Sequence, residues 1–436
     1  MSVNRTGGTK TRINDQFCRG DRSFESNTVN KMSISKSLNR TATCGEGAEL
    51  YRLLRGENLD ILRTLKNSGE SFDLVYLDPP YNTRRKLRYK DRFGERGGHK
   101  EWVSYLGERL TEILILCKET GLVAVSIDAR ELAHLVLLMD SIFKESNRIA
   151  LISVKVKSGA GLSVNPIMDT NEYLVVYAKN IQNWKNKILT KRVLLETRGE
   201  YQRRFINMDE GRLIRREGGL EIYEHTAETE VVKESKLLRK GIKKEYVENV
   251  FCTTNSQGVS KIIDKIPKKG IYRVVNNNGE ETWFRNGRVI LWLRDRVEII
   301  NGRLYRNERE TTWWDGNVFQ GLGAEGGVSF KEGKKPVAFL QRMLEWFGPD
   351  AQILDPFAGS GSMIQAVAEK NRGDGGTREC TSIDLDENNT FTEKAWPRIK
   401  GVLEGKLPNG REVSKCPGSA GFYDTTTETG TDRDDK

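Results

Sequence analysis

The sequence is poor in cysteine and histidine and has no long apolar run. Six cysteines in 436 residues include no CxxC pair, so we expect no disulfide framework, no structural zinc site and a reducing, cytoplasmic compartment. The N-terminus lacks the apolar core of a signal peptide. No stretch approaches the ~20 apolar residues that a membrane span needs. These absences predict a soluble globular protein without a membrane partner.

Histidine is too sparse to suggest a metal site. The three histidines, His99, His134 and His225, are dispersed along the chain. We therefore expect each of them to be structural or exposed rather than a metal ligand. The sequence predicts no metal.

Basic residues are in excess in this chain. Lys and Arg number 71 against 61 Asp and Glu, which gives a net charge of +10. An excess of positive charge favours a polyanionic partner, and nucleic acid is the first candidate. The length is about two to three times that of a typical domain, so we expect a core domain with a second module.

Strand and helix patterns alternate in two separated parts of the chain. SFDLVYL (Ser71–Leu77) and GLVAVSID (Gly121–Asp128) have the length of buried parallel strands, and an amphipathic helix pattern lies between them. AQILD, SMIQAVAEK and CTSIDLD repeat the alternation near the other end. Together the two parts predict one doubly wound, mostly parallel α/β sheet.

The sequence divides into five segments by composition and pattern. Residues 1–44 predict a flexible basic tail, because few apolar side chains could offset the entropy of ordering. Residues 45–180 and 321–405 predict the two halves of the α/β domain. Residues 181–320 predict a β-rich insertion, and residues 406–436 a C-terminal tail.

The insertion combines hairpin signals with basic and aromatic residues. It contains three Asn-Gly dipeptides, which favour tight β-hairpins. It also contains 28 Lys and Arg against 20 Asp and Glu, a net charge of +8, and five of the eight tryptophans. This composition suits a nucleic-acid surface. A small core surrounded by solvated Lys and Arg explains it equally well.

The first motif with chemical meaning is DPPY, Asp78 to Tyr81, directly after the predicted strand. Paired prolines keep the backbone extended and rich in acceptors. Asp78 and the carbonyl of Pro79 could each accept a hydrogen bond from an exocyclic amine, and Tyr81 could stack on the base. Such a base must first flip out of its duplex.

The second motif is DPFAGSGS, Asp355 to Ser362, between a predicted strand and a predicted helix. Gly359 and Gly361 permit a tight turn and a close approach of the backbone to a ligand. Asp384 ends the next predicted strand, at the acidic position that binds ribose hydroxyls in such folds. The pair suggests a nucleoside-bearing cofactor.

Both motifs, in this order, resemble the β-class amino DNA methyltransferases, which include the modification subunits of type III restriction systems. That class places DPPY first, then a target-recognition insertion, then an FxGxG cofactor loop. Here DPPY precedes FAGSG by well over two hundred residues. GENLDIL (Gly56–Leu62) and KKPVAFLQRML also resemble segments of the family. The resemblance covers about residues 50–180 and 328–405.

The resemblance implies a Rossmann-like methyltransferase sheet that uses S-adenosyl-L-methionine. The residues that would hold the target amine are Asp78, Pro79, Pro80 and Tyr81. The residues that would bind the cofactor are Asp355, Phe357, Gly359, Gly361, Asp384, Glu57 and Lys335. Asp384 would bind the ribose, Glu57 would lie near the adenine, and Lys335 with Pro336 would close the pocket.

The expected function is methyl transfer to the exocyclic N6 of a flipped-out adenine in double-stranded DNA. DPPY leans towards adenine, but cytosine N4 presents the same donor chemistry and remains an alternative. A DNA-binding module without catalysis is a further alternative. The family suggests a homodimer and a restriction subunit as partners. A nicotinamide oxidoreductase is disfavoured because GxGxxG is missing, and a release-factor type methyltransferase because its motifs have the opposite order.

Overall fold

The computed structural model describes residues 38–83, 93, 98–157, 167–185, 187–195, 201–255, 260–300, 302–315, 319, 322–329, 334–386 and 389–425. The strands of these ranges, in chain order, are β1 (Leu38–Glu46), β2 (Glu49–Arg55), β3 (Phe72–Leu77), β4 (Cys117–Ile127), β5 (Arg148–Lys155), β6 (Asn171–Ala178), β7 (Thr190–Leu194), β8 (Arg203–Ile206), β9 (Arg212–Glu217), β10 (Leu220–His225), β11 (Glu228–Val231), β12 (Val250–Thr254), β13 (Ile271–Asn276), β14 (Glu281–Arg285), β15 (Arg288–Trp292), β16 (Val297–Ile300), β17 (Arg303–Arg309), β18 (Trp313–Trp314), β19 (Gln352–Asp355), β20 (Glu379–Asp384) and β21 (Gly418–Thr425). The α-helices are α1 (Asn58–Asn67), α2 (His99–Leu116), α3 (Leu132–Phe143), α4 (Glu234–Leu237), α5 (Lys244–Val247), α6 (Ser260–Ile263), α7 (Val337–Leu344), α8 (Ser362–Asp374) and α9 (Trp396–Glu404).

A ten-stranded sheet unites the two α/β parts of the chain. Its strand order is β1-β21-β2-β20-β19-β3-β4-β6-β5-β18. The central pairs β2–β20, β20–β19, β19–β3 and β3–β4 are all parallel. The antiparallel strands β6 and β5 follow beyond β4. The predicted doubly wound, mostly parallel sheet is confirmed.

Helices cover both faces of this sheet because its buried strands are apolar on both sides. Along β3, Leu74 and Tyr76 face the cluster that contains residues of α7, α8 and α9. Val75 and Leu77 face the opposite cluster, with residues of α1, α2 and α3. The helix predicted between the first two strands is α2, which buries Trp102 and other apolar residues.

The predicted tails both contain a strand of the sheet. Residues 38–44 belong to β1 and residues 418–425 to β21, so the predicted tail segments 1–44 and 406–436 are wrong for these residues. β21 lies between β1 and β2 and buries Ala420 and Phe422. The apolar runs in β1 and β21 are short and lie among polar residues. The sequence pattern therefore did not predict these two strands. Residues 1–37 and 426–436 lie outside the described residues.

Residues of the predicted insertion form two further sheets, both built from antiparallel pairs. One has eight strands in the order β11-β8-β12-β15-β14-β13-β10-β9, and the other has three in the order β16-β17-β7. Asn286 and Gly287 both have positive φ at the tight turn between β14 and β15, as the hairpin signal predicts. β18 instead pairs with β5 in the large sheet. The chain therefore returns from the two further sheets to the large sheet before residue 320, the predicted end of the insertion.

The tryptophans of the insertion mostly pack in cores. Trp184, Trp292 and Trp314 are buried. Trp283 contacts Trp292 edge to face, with ring centroids 5.5 Å apart. Trp313 is about half exposed. Most of these rings therefore stabilise local cores, and the basic side chains and Trp313 remain as candidates for a nucleic-acid surface.

No helix in the described part of the chain combines the length and the apolar character that crossing a membrane requires.

Candidate active site

The predicted site residues meet along one edge of the large sheet. The neighbouring parallel strands β2, β20, β19 and β3 all end at this edge. Glu57, Asp384, Asp355 and Asp78 lie at or just beyond these four strand ends, in that order. The carboxyl ends of parallel strands are where open α/β sheets bind ligands. The fold thus brings the two motifs together although they are far apart in the sequence.

A buried ion cluster forms around Asp78. The ammonium nitrogen of Lys335 lies 3.0 Å from Asp78 Oδ1 and 3.1 Å from Glu172 Oε2. It also donates to the hydroxyl of Tyr81 over 2.8 Å. The Tyr81 hydroxyl in turn donates to Asp78 Oδ1 over 2.9 Å. Only 7% of the Lys335 side chain is exposed, so this largely buried cation lies between two carboxylates.

This burial changes the proton affinity of the cluster. Burial raises the pKa of Asp78, and Lys335 opposes that rise. Burial by itself would lower the pKa of Lys335, but the carboxylates of Asp78 and Glu172 outweigh it and raise that pKa. Lys335 therefore stays charged and favours the ionised form of Asp78.

The backbone after Asp78 is fixed by side chains of other elements. The carbonyl of Pro80 accepts a 2.7 Å hydrogen bond from the indole nitrogen of Trp102. Trp102 belongs to the core, since its side chain is fully buried. Asn82 has a positive φ of 55° and donates to Glu131 over 2.7 Å. DPPY is thus attached to α2 and to the start of α3.

The second motif forms a turn between β19 and α8 that depends on its glycines. Gly359 and Gly361 have φ values of 50° and 75°, which L-residues with side chains rarely adopt. A Cβ on Gly361 would lie 3.2 Å from the Cβ of Ala395, whereas a Cβ on Gly359 would meet nothing within 4 Å. Gly361 thus permits close packing, and Gly359 faces open space.

Asp384 connects this turn to the end of β20. Its Oδ2 accepts from the amide of Gly359 over 2.9 Å, and its Oδ1 accepts from the amide of Asp386 over 2.8 Å. The carboxylate lies at the sheet edge where the sequence places it. Its role towards a ribose stays a prediction.

Asp355 is a buried carboxyl group whose pKa lies well above its ordinary value. It is buried at the end of β19, and its Oδ1 accepts from the amide of Phe357 over 3.1 Å. Burial raises the pKa of Asp355 to about 8, the Phe357 amide opposes the rise, and the charges of Asp78 and Asp384 add to it. A cation bound beside Asp355 would lower this pKa again.

Glu57 occupies the end of β2 but already has two protein partners. Its side chain caps α1 by accepting from the amide of Leu59, and it forms an ion pair with Arg109. Arg109 also donates to Asn58 over 2.6 Å and stacks on the ring of Tyr105. The predicted position near an adenine stays a prediction.

Several residues that organise the site were missed in the sequence. Glu172 is the second carboxylate of the Lys335 cluster. It is the second residue of β6, a strand that the sequence marks only by its apolar residues. Arg398 is fully buried, and its Nη1 donates to the hydroxyls of Ser360 and Ser362 over 3.0 and 2.8 Å. One arginine in an amphipathic helix carries no signal of such a role.

Arg398 also connects the glycine turn to the segment that contains Lys335. Its Nη2 donates to Glu325 Oε2 over 3.4 Å. The carboxylate of Glu325 accepts from the amide of Val337, two residues after Lys335. Neighbouring Lys334 donates to the carbonyls of Leu322 and Val328 over 2.9 and 3.2 Å, and burial lowers its pKa to about 8. A polar network therefore joins the two motifs through the protein interior.

The sequence profile of the DNA methylase family (N6/N4 type) matches residues 72–391. The chain belongs to the DNA methylase family. This match confirms the resemblance drawn from the DPPY and FAGSG motifs.

Relatives in the DNA methylase family include type II and type III enzymes. The type II methyltransferase M.KpnI of Klebsiella pneumoniae is 31% identical over 78% of this chain and 81% of that protein. A Haemophilus influenzae protein described as probable type III restriction-modification enzyme HindVI Mod subunit is 28% identical over 81% of this chain and 51% of that protein. The type III StyLTI Mod subunit of Salmonella typhimurium is 28% identical over 81% of this chain and 56% of that protein. The chain thus spans about half the length of these Mod subunits.

Proposed function

We propose that this chain is a DNA methyltransferase that transfers a methyl group from S-adenosyl-L-methionine to the N6 of a flipped-out adenine in double-stranded DNA. The observation that supports this most directly is the meeting of Asp78 and Asp355 at the ends of neighbouring strands. Asp78 suits a target amine, and Asp355 suits a cationic ligand. Methyl transfer requires the amine and the cationic methyl donor to be bound next to each other.

The residues at the ends of β19 and β20 fit this cofactor. The space beside Gly359 and the carboxylates of Asp355 and Asp384 suit a ligand with a nucleoside and positive charge. The cofactor supplies a methyl group on a sulfonium centre, which is an electrophile. Asp355, Phe357, Gly359, Gly361, Asp384 and Glu57 are the residues that we propose to hold it.

Asp78 is the proposed hydrogen-bond acceptor for the target amine. An ionised carboxylate that accepts from the exocyclic NH2 favours a nitrogen whose lone pair leaves ring conjugation. Lys335 maintains that ionised state in a buried site. Pro79 contributes its carbonyl as a second acceptor. The hydrogen bond from Trp102 to the carbonyl of Pro80 fixes the direction of the backbone after β3. Tyr81 stacks on the base in this proposal.

The remaining parts of the proposal concern partners. The named relatives are Mod subunits or type II methyltransferases, and this supports a role in restriction-modification in the cytoplasm. A restriction subunit and a second copy of this chain are the proposed protein partners. We propose that the insertion, with its net positive charge, contacts the DNA and selects the sequence.

Nucleoside mass spectrometry tests the function. Unmethylated DNA is incubated with the chain and with S-adenosyl-L-methionine that has an isotope-labelled methyl group. We expect labelled N6-methyladenine. Labelled N4-methylcytosine would overturn the choice of base and retain the mechanism. Binding to DNA without any labelled base would favour a DNA-binding module without catalysis.

The Asp78→Ala variant tests the assignment of the acceptor. We expect it to lose methyl transfer and to keep cofactor binding, which equilibrium dialysis measures. Asp73→Asn is the matched control, because Asp73 lies near the opposite end of β3 and forms an ion pair with Lys118. An Asp78→Ala variant with normal turnover would refute the assignment.

A further inference from the structure

Two of the three histidines lie side by side at a shared carboxylate. His99 is the first residue of α2, Glu131 precedes the first residue of α3, and His134 follows Glu131 by three positions. The imidazole rings of His99 and His134 stack, with centroids 4.5 Å apart and an interplanar angle of 19°. From the sequence, each of these histidines is expected to be structural or exposed, and the packing of α2 against α3 brings the two together.

The ligating atoms of the three side chains converge. His99 Nδ1 lies 2.7 Å from Glu131 Oε1, and His134 Nδ1 lies 3.2 Å from Glu131 Oε2. One nitrogen or oxygen from each residue lies within 4.8 Å of the other two. Small side-chain shifts would bring three donor atoms at this spacing to the ~2.0–2.2 Å that zinc requires.

The buried carboxylate of Glu131 requires a compensating positive charge nearby. Its side chain is only 1% exposed, and a buried carboxylate without compensation is costly. Among the described residues, no lysine or arginine lies within ion-pair distance of Glu131, and the two histidines are its ion-pair partners. Two imidazolium rings stacked at 4.5 Å would repel each other. A metal ion with neutral imidazoles supplies the charge without this repulsion.

Two polar atoms of the cluster lack a hydrogen bond in the described structure. Glu131 Oε2 and His134 Nδ1 are both buried and have no hydrogen-bond partner, although they face each other at 3.2 Å. Buried polar atoms of folded proteins are normally satisfied. A metal ion that binds both atoms would satisfy them together.

We infer that His99, Glu131 and His134 form a binding site for a divalent transition-metal ion, with Zn²⁺ as the preferred ion. Two imidazole nitrogens and one carboxylate are a usual zinc ligand set, and a water can complete the tetrahedron. Mg²⁺ and Ca²⁺ prefer sites built from oxygen alone. The histidine side chains are 46% and 42% exposed, so an ion can enter from solvent.

The site is distinct from the proposed active site and is attached to it. Glu131 Oε1 also accepts from Asn82, the residue after Tyr81. A metal ion on Glu131 would therefore fix the backbone directly after DPPY, at Asn82. Metal binding itself is independent of the proposed function, because the cluster needs neither DNA nor the cofactor.

Calorimetric titration of the full chain with ZnSO₄ tests the site, after removal of metal with a chelator. We expect one Zn²⁺ per chain with micromolar or tighter affinity. The double variant His99→Ala/His134→Ala should lose at least about tenfold in affinity, since two ligands are missing. Lys100→Gln is the matched control, because Lys100 is exposed beside His99, and it should bind zinc like the wild type.

Co²⁺ provides a second measurement that reports on the ligands. We expect visible absorption bands of a four-coordinate nitrogen and oxygen site in the wild type and their loss in His134→Ala. Zinc should also raise the unfolding temperature of the wild type but not of the double variant. Absence of saturable zinc binding, or equal binding by the double variant, would overturn the inference. Circular dichroism of each variant confirms that it is folded.

Discussion

The ammonium group of Lys335 lies 3.0 Å from the carboxylate of Asp78, although the two residues belong to different halves of the chain. Asp78 follows β3, and Lys335 immediately precedes Pro336 and α7. The same ammonium contacts Glu172 and Tyr81. This cation therefore favours the ionised form of the proposed amine acceptor, against the effect of burial.

Replacement of Lys335 by methionine should move the acid limb of the pH–rate profile to higher pH. Burial raises the pKa of Asp78, Lys335 opposes that rise, and the charge of Glu172 adds to it. Without the cation the pKa of Asp78 rises further, so the ionised carboxylate forms only at higher pH. We expect kcat/KM at neutral pH to fall by at least about a hundredfold. The measurement is kcat/KM for methyl transfer as a function of pH.

Lys370→Met is the control for this variant. Lys370 is also largely buried and forms an ion pair with Glu345, but it lies on α8 outside the Asp78 cluster. It should leave the acid limb in place. An unchanged profile in Lys335→Met would show that Lys335 does not set the charge of Asp78.

Substitutions of Tyr81 should separate its hydroxyl from its ring. Tyr81→Phe loses the hydrogen bonds with Asp78 and Lys335 but keeps the aromatic face. A net hydrogen bond is worth ~1 kcal/mol, and about 1.5–3 kcal/mol when it involves a charge, so we expect a loss of about tenfold or more in kcat/KM. Tyr81→Ala should cost at least a further tenfold, because base stacking adds ~1–3 kcal/mol.

Steady-state methyl transfer by the two variants provides the comparison. Tyr177→Phe is the control. Tyr177 lies on β6, and its hydroxyl donates to Asp140 of α3 over 2.6 Å. Equal losses in Tyr81→Phe and Tyr81→Ala would contradict a stacking role for the ring.

Asp355 should make the ligand-free protein less stable as pH rises. Its pKa is raised from 3.8 to about 8 in the folded chain. Between these values the folded state retains a proton that the unfolded state has lost, so its stabilising effect is complete below pH ~4 and disappears through pH ~8. Asp355→Asn should therefore gain stability relative to the wild type across this window, by several kcal/mol at pH ~8 at about 1.4 kcal/mol per pKa unit.

Urea unfolding at pH 5, 7 and 9 measures this difference. Asp374→Asn should instead be less stable than the wild type by a constant amount at these three pH values. The ion pair with Arg378 lowers the pKa of Asp374 despite its partial burial, so its contribution is present at neutral pH and is lost as pH falls below the unfolded value. A constant difference between Asp355→Asn and the wild type at all three pH values would contradict the prediction.

Removal of Arg398 should weaken both the fold and cofactor binding. The side chain is fully buried and donates to Ser360, Ser362 and Glu325. Loss of one partner of a buried ion pair typically costs ~3–5 kcal/mol. We expect Arg398→Met to lower the free energy of unfolding by about that amount and to raise the KM for the cofactor, because the glycine turn loses its support.

Urea unfolding and initial rates at varied cofactor concentration measure both effects. Arg378→Met is the control, because this buried arginine pairs with Asp374 away from the glycine turn. It should lower stability and leave the cofactor KM unchanged. An equal rise in KM in both variants would mean that Arg398 acts only through general stability.

Local pattern was enough to predict much of this protein from its sequence. Apolar runs bounded by turn residues predicted β3 and β4, because strands that are buried on both faces must be apolar throughout. DPPY and FAGSG predicted the chemical groups at two strand ends, since prolines and glycines restrict the backbone locally. Their order along the chain predicted the family, which the match to residues 72–391 confirms.

Tertiary structure alone decided which distant side chains share an environment. The contact of Lys335 with Glu172, the burial of Arg398 and the pairing of His99 with His134 depend on how helices pack on the sheet. The strand β21 was also hidden, because its hydrogen-bond partners β1 and β2 lie at the other end of the chain. Local sequence specifies backbone conformation, but partners of charged and polar groups are selected by three-dimensional proximity.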